Sequence, residues 1–123
     1  MYTILIIDDE PLILEGLQQA LELEGHKTYS AANGKDAVSL IDAGLKPDLV
    51  ITDIIMPEKD GIEVIWSIQE KIPETKIIAI SGGGRISATD HLKIAEKLGA
   101  NSVLTKPFST EDLVNEIEKV FKE

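Results

Sequence analysis

Asp8, Asp9, Asp53, Ser81 and Lys106 are residues of the types that can bind a divalent cation and handle a phosphoryl group. They stand immediately after four short apolar runs, Ile4-Leu5-Ile6-Ile7, Leu49-Val50-Ile51-Thr52, Ile77-Ile78-Ala79-Ile80 and Val103-Leu104-Thr105. Three carboxylates in one cleft repel each other, and burial sharpens the repulsion. A divalent cation relieves it, and a few hard carboxylate oxygens suit Mg²⁺ with several retained waters. Three carboxylates, one Mg²⁺ and the Lys106 ammonium sum to zero charge. An incoming phosphoryl group would then find a metal and an ammonium facing its oxygens. A carboxylate can also be the nucleophile, forming an aspartyl phosphate. Asp53 suits that role because it closes a central strand, whereas Asp8 and Asp9 open a helix and are better placed to hold the metal. The Ser81 hydroxyl can donate a hydrogen bond to a phosphoryl oxygen, and Lys106 can neutralise one.

Taken singly, each residue has an ordinary explanation. Asp8-Asp9 before Pro11 reads as an acidic helix cap, Ser81 as another cap, Asp53 as a loop acid and Lys106 as a solvated charge. Their joint occurrence at four strand ends is what favours a site, because chemistry in open α/β sheets collects at the carboxyl ends of the strands.

The elements that must position them alternate along the chain. Strand patterns occupy 3–7, 27–31, 48–52, 76–80 and 102–105. Helical spacing is carried by Leu14, Leu17 and Leu21 over 11–24, and by Ala37, Leu40 and Ile41 over 34–43. It recurs with Ile62, Ile65 and Ile68 over 61–71, with Leu92, Ala95 and Leu98 over 87–98, and with Leu113, Ile117 and Val120 over 110–122. Pro11 fits a first helical turn, Gly25, Gly44 and Gly99 follow helix ends, and Pro73 stops the third helix. Ser109 or Thr110 can cap the last helix. Runs 4–7, 49–52 and 77–80 are almost continuously apolar, as central strands are, and the more polar 27–31 suits an edge. Five βα units with right-handed crossovers make a three-layer α/β sandwich on a five-stranded parallel sheet. His26, in a turn, and His91, on a helix, lie in no cluster of ligands and are read as surface residues. Trp66 is read as a partly buried packing residue.

The chain has 123 residues, enough for one domain and one core, so residues 1–123 are expected to form a single domain. There is no Cys, which excludes disulfides and thiolate metal sites. No apolar run approaches the ~20 residues of a membrane span, and no basic segment precedes an apolar stretch at the N-terminus. A cytoplasmic location is expected. Net charge is −10, which argues against direct nucleic-acid binding, since that needs a basic surface.

Four fragments, in order, carry a resemblance: Ile6-Ile7-Asp8-Asp9-Glu10, Asp53-Ile54-Ile55-Met56-Pro57 with Asp60-Gly61, Ile80-Ser81-Gly82 and Lys106-Pro107-Phe108. Together they resemble the receiver domain of two-component response regulators, from Ile4 to about Phe121. The resemblance implies strand order 2-1-3-4-5, the flavodoxin-like doubly wound arrangement. It implies that Asp53 accepts a phosphoryl group from a phosphohistidine on a sensor histidine kinase or a histidine phosphotransfer protein. It further implies Mg²⁺ held by Asp8, Asp9 and Asp53 with the backbone carbonyl of Ile55. Ser81 and Lys106 would contact the phosphoryl group, and the peptide bond before Pro107 would be cis. The signal would pass to a downstream protein target or to a linked output domain, and none is expected within residues 1–123.

Three departures from the family pattern stand out. Val103 occupies the position where most relatives carry an aromatic residue. The interval from Ser81 to Lys106 is a few residues longer than usual for the family, and holds Gly82, Gly83, Gly84 and Arg85. Ile55 and Gly83 supply no polar side chain at positions that often do. With no ring at Val103, the glycine-rich segment 82–85 is expected to be the moving part of the switch. Three other readings compete. A haloacid-dehalogenase-type phosphatase would need an Asp where Ile55 stands, and a flavodoxin-type flavin module would need a phosphate loop where Asp8-Asp9-Glu10 stands. A pseudo-receiver that binds partners without phosphorylation would not need the full set of acids and lysine.

Overall fold

Strands that are apolar on both faces have no side to give to water and must lie between two layers. The computed structural model, which describes residues 1–53, 61–81 and 99–122, places them there. The strands are β1 (Thr3–Ile7), β2 (Lys27–Ala31), β3 (Leu49–Asp53), β4 (Lys76–Ser81) and β5 (Ser102–Thr105). They form one sheet in the order β2-β1-β3-β4-β5, parallel at every pairing. Four helices are described, α1 (Pro11–Leu23), α2 (Gly34–Asp42), α3 (Gly61–Lys71) and α4 (Thr110–Lys122). The helix expected over 87–98, with His91, falls outside the described residues, as do Ile55 and the segment 82–85.

The period-two alternation of the strands divides the core cleanly. Leu5, Ile7, Val50, Ile77 and Ala79 point to one face and pack on Ala37 and Ile41 of α2 and Val64, Ile65 and Ile68 of α3. Ile4, Ile6, Leu49, Ile51, Ile78, Ile80 and Leu104 point to the other and pack on Leu21 of α1 and Leu113, Ile117 and Val120 of α4. Three layers result. Burying each such side chain fully is worth about 1.5–3 kcal/mol, so sliding one central strand by a residue would cost both cores at once.

Helix ends follow local chemistry. Asn33 caps α2, its Oδ1 accepting from the Asp36 N–H at 2.8 Å. Of the two candidate caps for α4, Ser109 serves: its Oγ accepts from Asp112 N–H at 3.0 Å, and Asp112 Oδ2 accepts from Ser109 N–H at 3.1 Å. That reciprocal pair satisfies two donors otherwise without intrahelical partners. The chain leaves α1 through Gly25 at φ +92°, a left-handed conformation that favours glycine.

Two residues differ from expectation. Trp66 is 53% exposed. The α3 stripe that faces the sheet is centred on Ile65 and Ile68, and Trp66 lies across the helix from it. His26 is more than a surface residue: its Nδ1 accepts from the Tyr2 N–H at 3.1 Å, and its ring stacks on Tyr2. Tyr2 in turn stacks on Phe121 with ring centroids 3.8 Å apart. The start of β1, the turn before β2 and the end of α4 are thereby held together. Burial and the nearby N-terminal ammonium hold the His26 imidazole below its ordinary range, with Glu24 pulling the other way.

Candidate functional site

Parallel strands present the same end of each strand at one edge of the sheet, so residues distant in sequence meet there. Asp8 follows β1, Asp53 and Ser81 are the last residues of β3 and β4, and Lys106 follows β5. β5 is fixed beside β4 by the Ile78–Ser102 to Ser81–Thr105 register, and the Lys106 N–H continues it by donating to the Ser81 carbonyl at 2.9 Å. The Lys106–Pro107 peptide bond is cis.

Asp8, Asp53 and Ser81 are all buried, at 1%, 5% and 2% exposure. Asp9 and Glu10 are exposed. Lys106 Nζ donates to Asp53 Oδ2 at 2.9 Å and lies 3.9 Å from Asp8 Oδ2. Asp8 Oδ1 accepts from the Glu10 N–H at 2.9 Å, a tight turn that opens α1. Glu10, the N-cap of α1, makes no side-chain capping bond. The ordinary cap explanation for this acidic stretch therefore accounts for only one Asp8 oxygen.

The other Asp8 oxygen is the informative one. Oδ2 is buried without a hydrogen-bond partner. An unsatisfied buried carboxylate oxygen is costly, and burial pushes the Asp8 carboxyl above its ordinary range. The negative charges of Asp53 and Asp9 push the same way, while the Glu10 N–H and Lys106 pull against them. For Lys106, burial disfavours the charge, but the Asp53 hydrogen bond and the charges of Asp53, Asp8 and Glu10 outweigh it and raise the ammonium pKa. The ammonium is thus firmly protonated between two acids. Donor oxygens of Asp8, Asp9 and Glu10 lie within 4.8 Å of one another. A hard cation fits this set, since it would satisfy the orphaned Asp8 oxygen and answer the repulsion. Glu10 was not among the expected ligands, though its adjacency to Asp8-Asp9 was the available signal. Asp53 is not part of that mutually close group; its Oδ2 is on Lys106.

The family model described as response regulator receiver domain matches residues 4–118. The chain belongs to this family. Among solved structures, it is similar to a response regulator receiver domain protein from Clostridium thermocellum, with 29% identity, a TM-score of 0.86, and coverage of 99% of this chain and 95% of that one. It is also similar to a CheY-like receiver domain protein from Methanospirillum hungatei, with 28% identity, a TM-score of 0.86 and the same coverage. NtrX from Brucella abortus, in complex with ATP, is 30% identical with a TM-score of 0.87, and the match covers 98% of this chain but 27% of that one. Receiver domains typically bind Mg²⁺ at an acidic cluster, and this receiver has such a cluster in Asp8, Asp9 and Glu10.

Val103, at the position usually aromatic in the family, is partly buried and packs against the core on the α2–α3 face of the sheet. No helix among the described residues is long and apolar enough to cross a membrane.

Proposed function

We propose that this receiver domain is a phosphorylation switch whose acceptor is Asp53. The observation that carries the reading is the Lys106 ammonium, 2.9 Å from the Asp53 carboxylate and 3.9 Å from the orphaned Asp8 oxygen. A carboxylate oxygen of Asp53 attacks the phosphorus of a phosphohistidine. The new P–O bond forms as the P–N bond breaks, and the leaving imidazole nitrogen keeps the electron pair of that bond. Lys106 holds a counter-charge beside the acceptor throughout. The Ser81 hydroxyl, on the adjacent strand, donates to a phosphoryl oxygen once the group is transferred. Asp8 and Asp9, with Asp53 and the Ile55 carbonyl, would hold Mg²⁺, which supplies positive charge for the phosphoryl oxygens.

The donors are a sensor histidine kinase or a histidine phosphotransfer protein, and the recipient of the signal is a protein target or a linked output domain. Phosphorylation adds negative charge beside Lys106 and Ser81, and this bias shifts the population between two conformations. Our proposed moving part is the segment Gly82-Gly83-Gly84-Arg85. Hydrogen exchange with a beryllofluoride mimic checks it: changed protection over residues 82–92 supports the proposal, and change confined to the Asp53 loop rejects it.

The test of the acceptor is direct. Incubation with acetyl phosphate and Mg²⁺ should add one phosphoryl mass to the parent protein and none to Asp53→Asn. Equal uptake by the variant would overturn the assignment.

A further inference from the structure

Trp66 is the only tryptophan of the chain, and it borders a cleft of about 440 Å³ between α2 and α3. The cleft owes its shape to close packing. A Cβ on Gly34 would overlap the Val64 side chain, so only glycine lets α2 approach α3 here. At the C-terminal ends of the same helices, Lys71 and Asp42 pair at 2.9 Å. Val38 and Val64 lie in the cleft, Glu63, Trp66 and Glu70 come from α3, and Lys35 comes from α2. None of these belongs to the Asp53 site.

The α3 wall has a specific charge pattern. Glu63 and Glu70 are one heptad apart, on the same side of the helix and about 10 Å apart along its axis. Trp66 stands between them. Glu63, Glu70 and Lys35 make no ion pair among the described residues. An exposed indole flanked by two acids suits a guanidinium or ammonium, which gains both a cation–π contact and a carboxylate partner.

From this we infer that the α2–α3 cleft is a docking groove for a basic amphipathic helix of a protein partner. Two Arg or Lys side chains one heptad apart face Glu63 and Glu70. An apolar side chain between them rests on Val38 and Val64, and one cation lies over the Trp66 ring. Lys35 on the opposite wall favours an acid on the other flank of that helix. A helix between two helices matches a common mode of peptide recognition. The overall charge of −10 steers basic segments toward the molecule and repels nucleic acid.

The single tryptophan makes the test clean. Helical peptides carrying two Arg spaced by four, seven or ten residues around a central Leu are titrated into the full chain, with Trp66 emission as the signal. The seven-residue spacing should give a saturable change. In the double variant Glu63→Gln/Glu70→Gln, affinity should fall about fivefold to tenfold. The α4 control Glu111→Gln/Glu118→Gln should change it by less than about twofold. Calorimetry on Trp66→Ala, an exposed position, should show weaker binding in a folded protein. The inference is overturned if emission does not respond, if all spacings bind alike, or if the control loses as much as the double variant. Concentration-dependent dimerisation lost in Trp66→Ala would give the groove to a second copy and also overturn it.

Discussion

Lys106 Nζ lies 2.9 Å from Asp53 Oδ2 although the two residues are 53 positions apart. Among the described residues the same ammonium also pairs with Asp8, at 3.9 Å. Removing it leaves two buried acids facing each other. Lys106→Met should therefore destabilise the metal-free protein by about 2–3 kcal/mol at neutral pH. Added Mg²⁺ should restore part of that loss. Urea unfolding with and without Mg²⁺ checks both; an unchanged midpoint in EDTA would contradict the prediction.

Asp8 is predicted to cost stability when no cation is present. Its folded pKa lies above its unfolded value, so the native state binds more protons in that interval. The stabilising contribution is full below the unfolded pKa and is lost as pH rises through the raised folded one. Asp8→Asn keeps the acceptor for the Glu10 N–H and removes the charge. It should melt higher than the parent in EDTA. The parent should gain about 1.4 kcal/mol from Mg²⁺ at ten times its Kd, and the variant much less. Thermal melts across a Mg²⁺ series give both numbers.

His26 makes the opposite pH prediction. Its folded pKa is depressed, so the unfolded state binds more protons just below pH 6.5. Stability should hold above that value and decline as pH falls through it toward the depressed folded pKa. Protonation also removes the Nδ1 acceptor used by the Tyr2 N–H. His26→Asn, which retains a side-chain acceptor without titrating, should flatten the slope of Tm between pH 7 and 5. A parent and variant with parallel profiles would show that His26 does not set it.

Gly34→Ala sets two effects against each other. Alanine favours the helix by about 1 kcal/mol. Overpacking against Val64 typically costs about 1–3 kcal/mol and should win, because Val64 is itself buried. Pairing the change with Val64→Ala should cost less than the sum of the two single variants, read from denaturant midpoints in a double-mutant cycle.

Much of the architecture was legible because the central strands carry a two-sided apolar signal and because Gly25 and Gly44 follow the ends of α1 and α2. Strand order came from the resemblance, since periodicity alone cannot order parallel strands. Strand ends shifted by one residue in β3 and β4, making Asp53 and Ser81 the last residues of their strands. Bulk alone argued for partial burial of Trp66, but the buried stripe of α3 runs through Ile65 and Ile68 and leaves Trp66 on the far side. Two facts lay beyond sequence. One is that the Asp8 oxygens divide, Oδ1 accepting in a local turn and Oδ2 buried without a hydrogen bond. The other is the stack of Tyr2 on Phe121, which joins residues from the two ends of the chain.

The order in which the strands leave the ribosome gives the Lys106–Asp53 contact a further meaning. Synthesis delivers β1 and β3 first and β5 last, and domains fold as units once their chain is available. A chain released short of β5 holds Asp8, Asp9 and Asp53 but lacks the ammonium that balances them. Any chemistry that needs both halves is withheld from copies that end before Lys106.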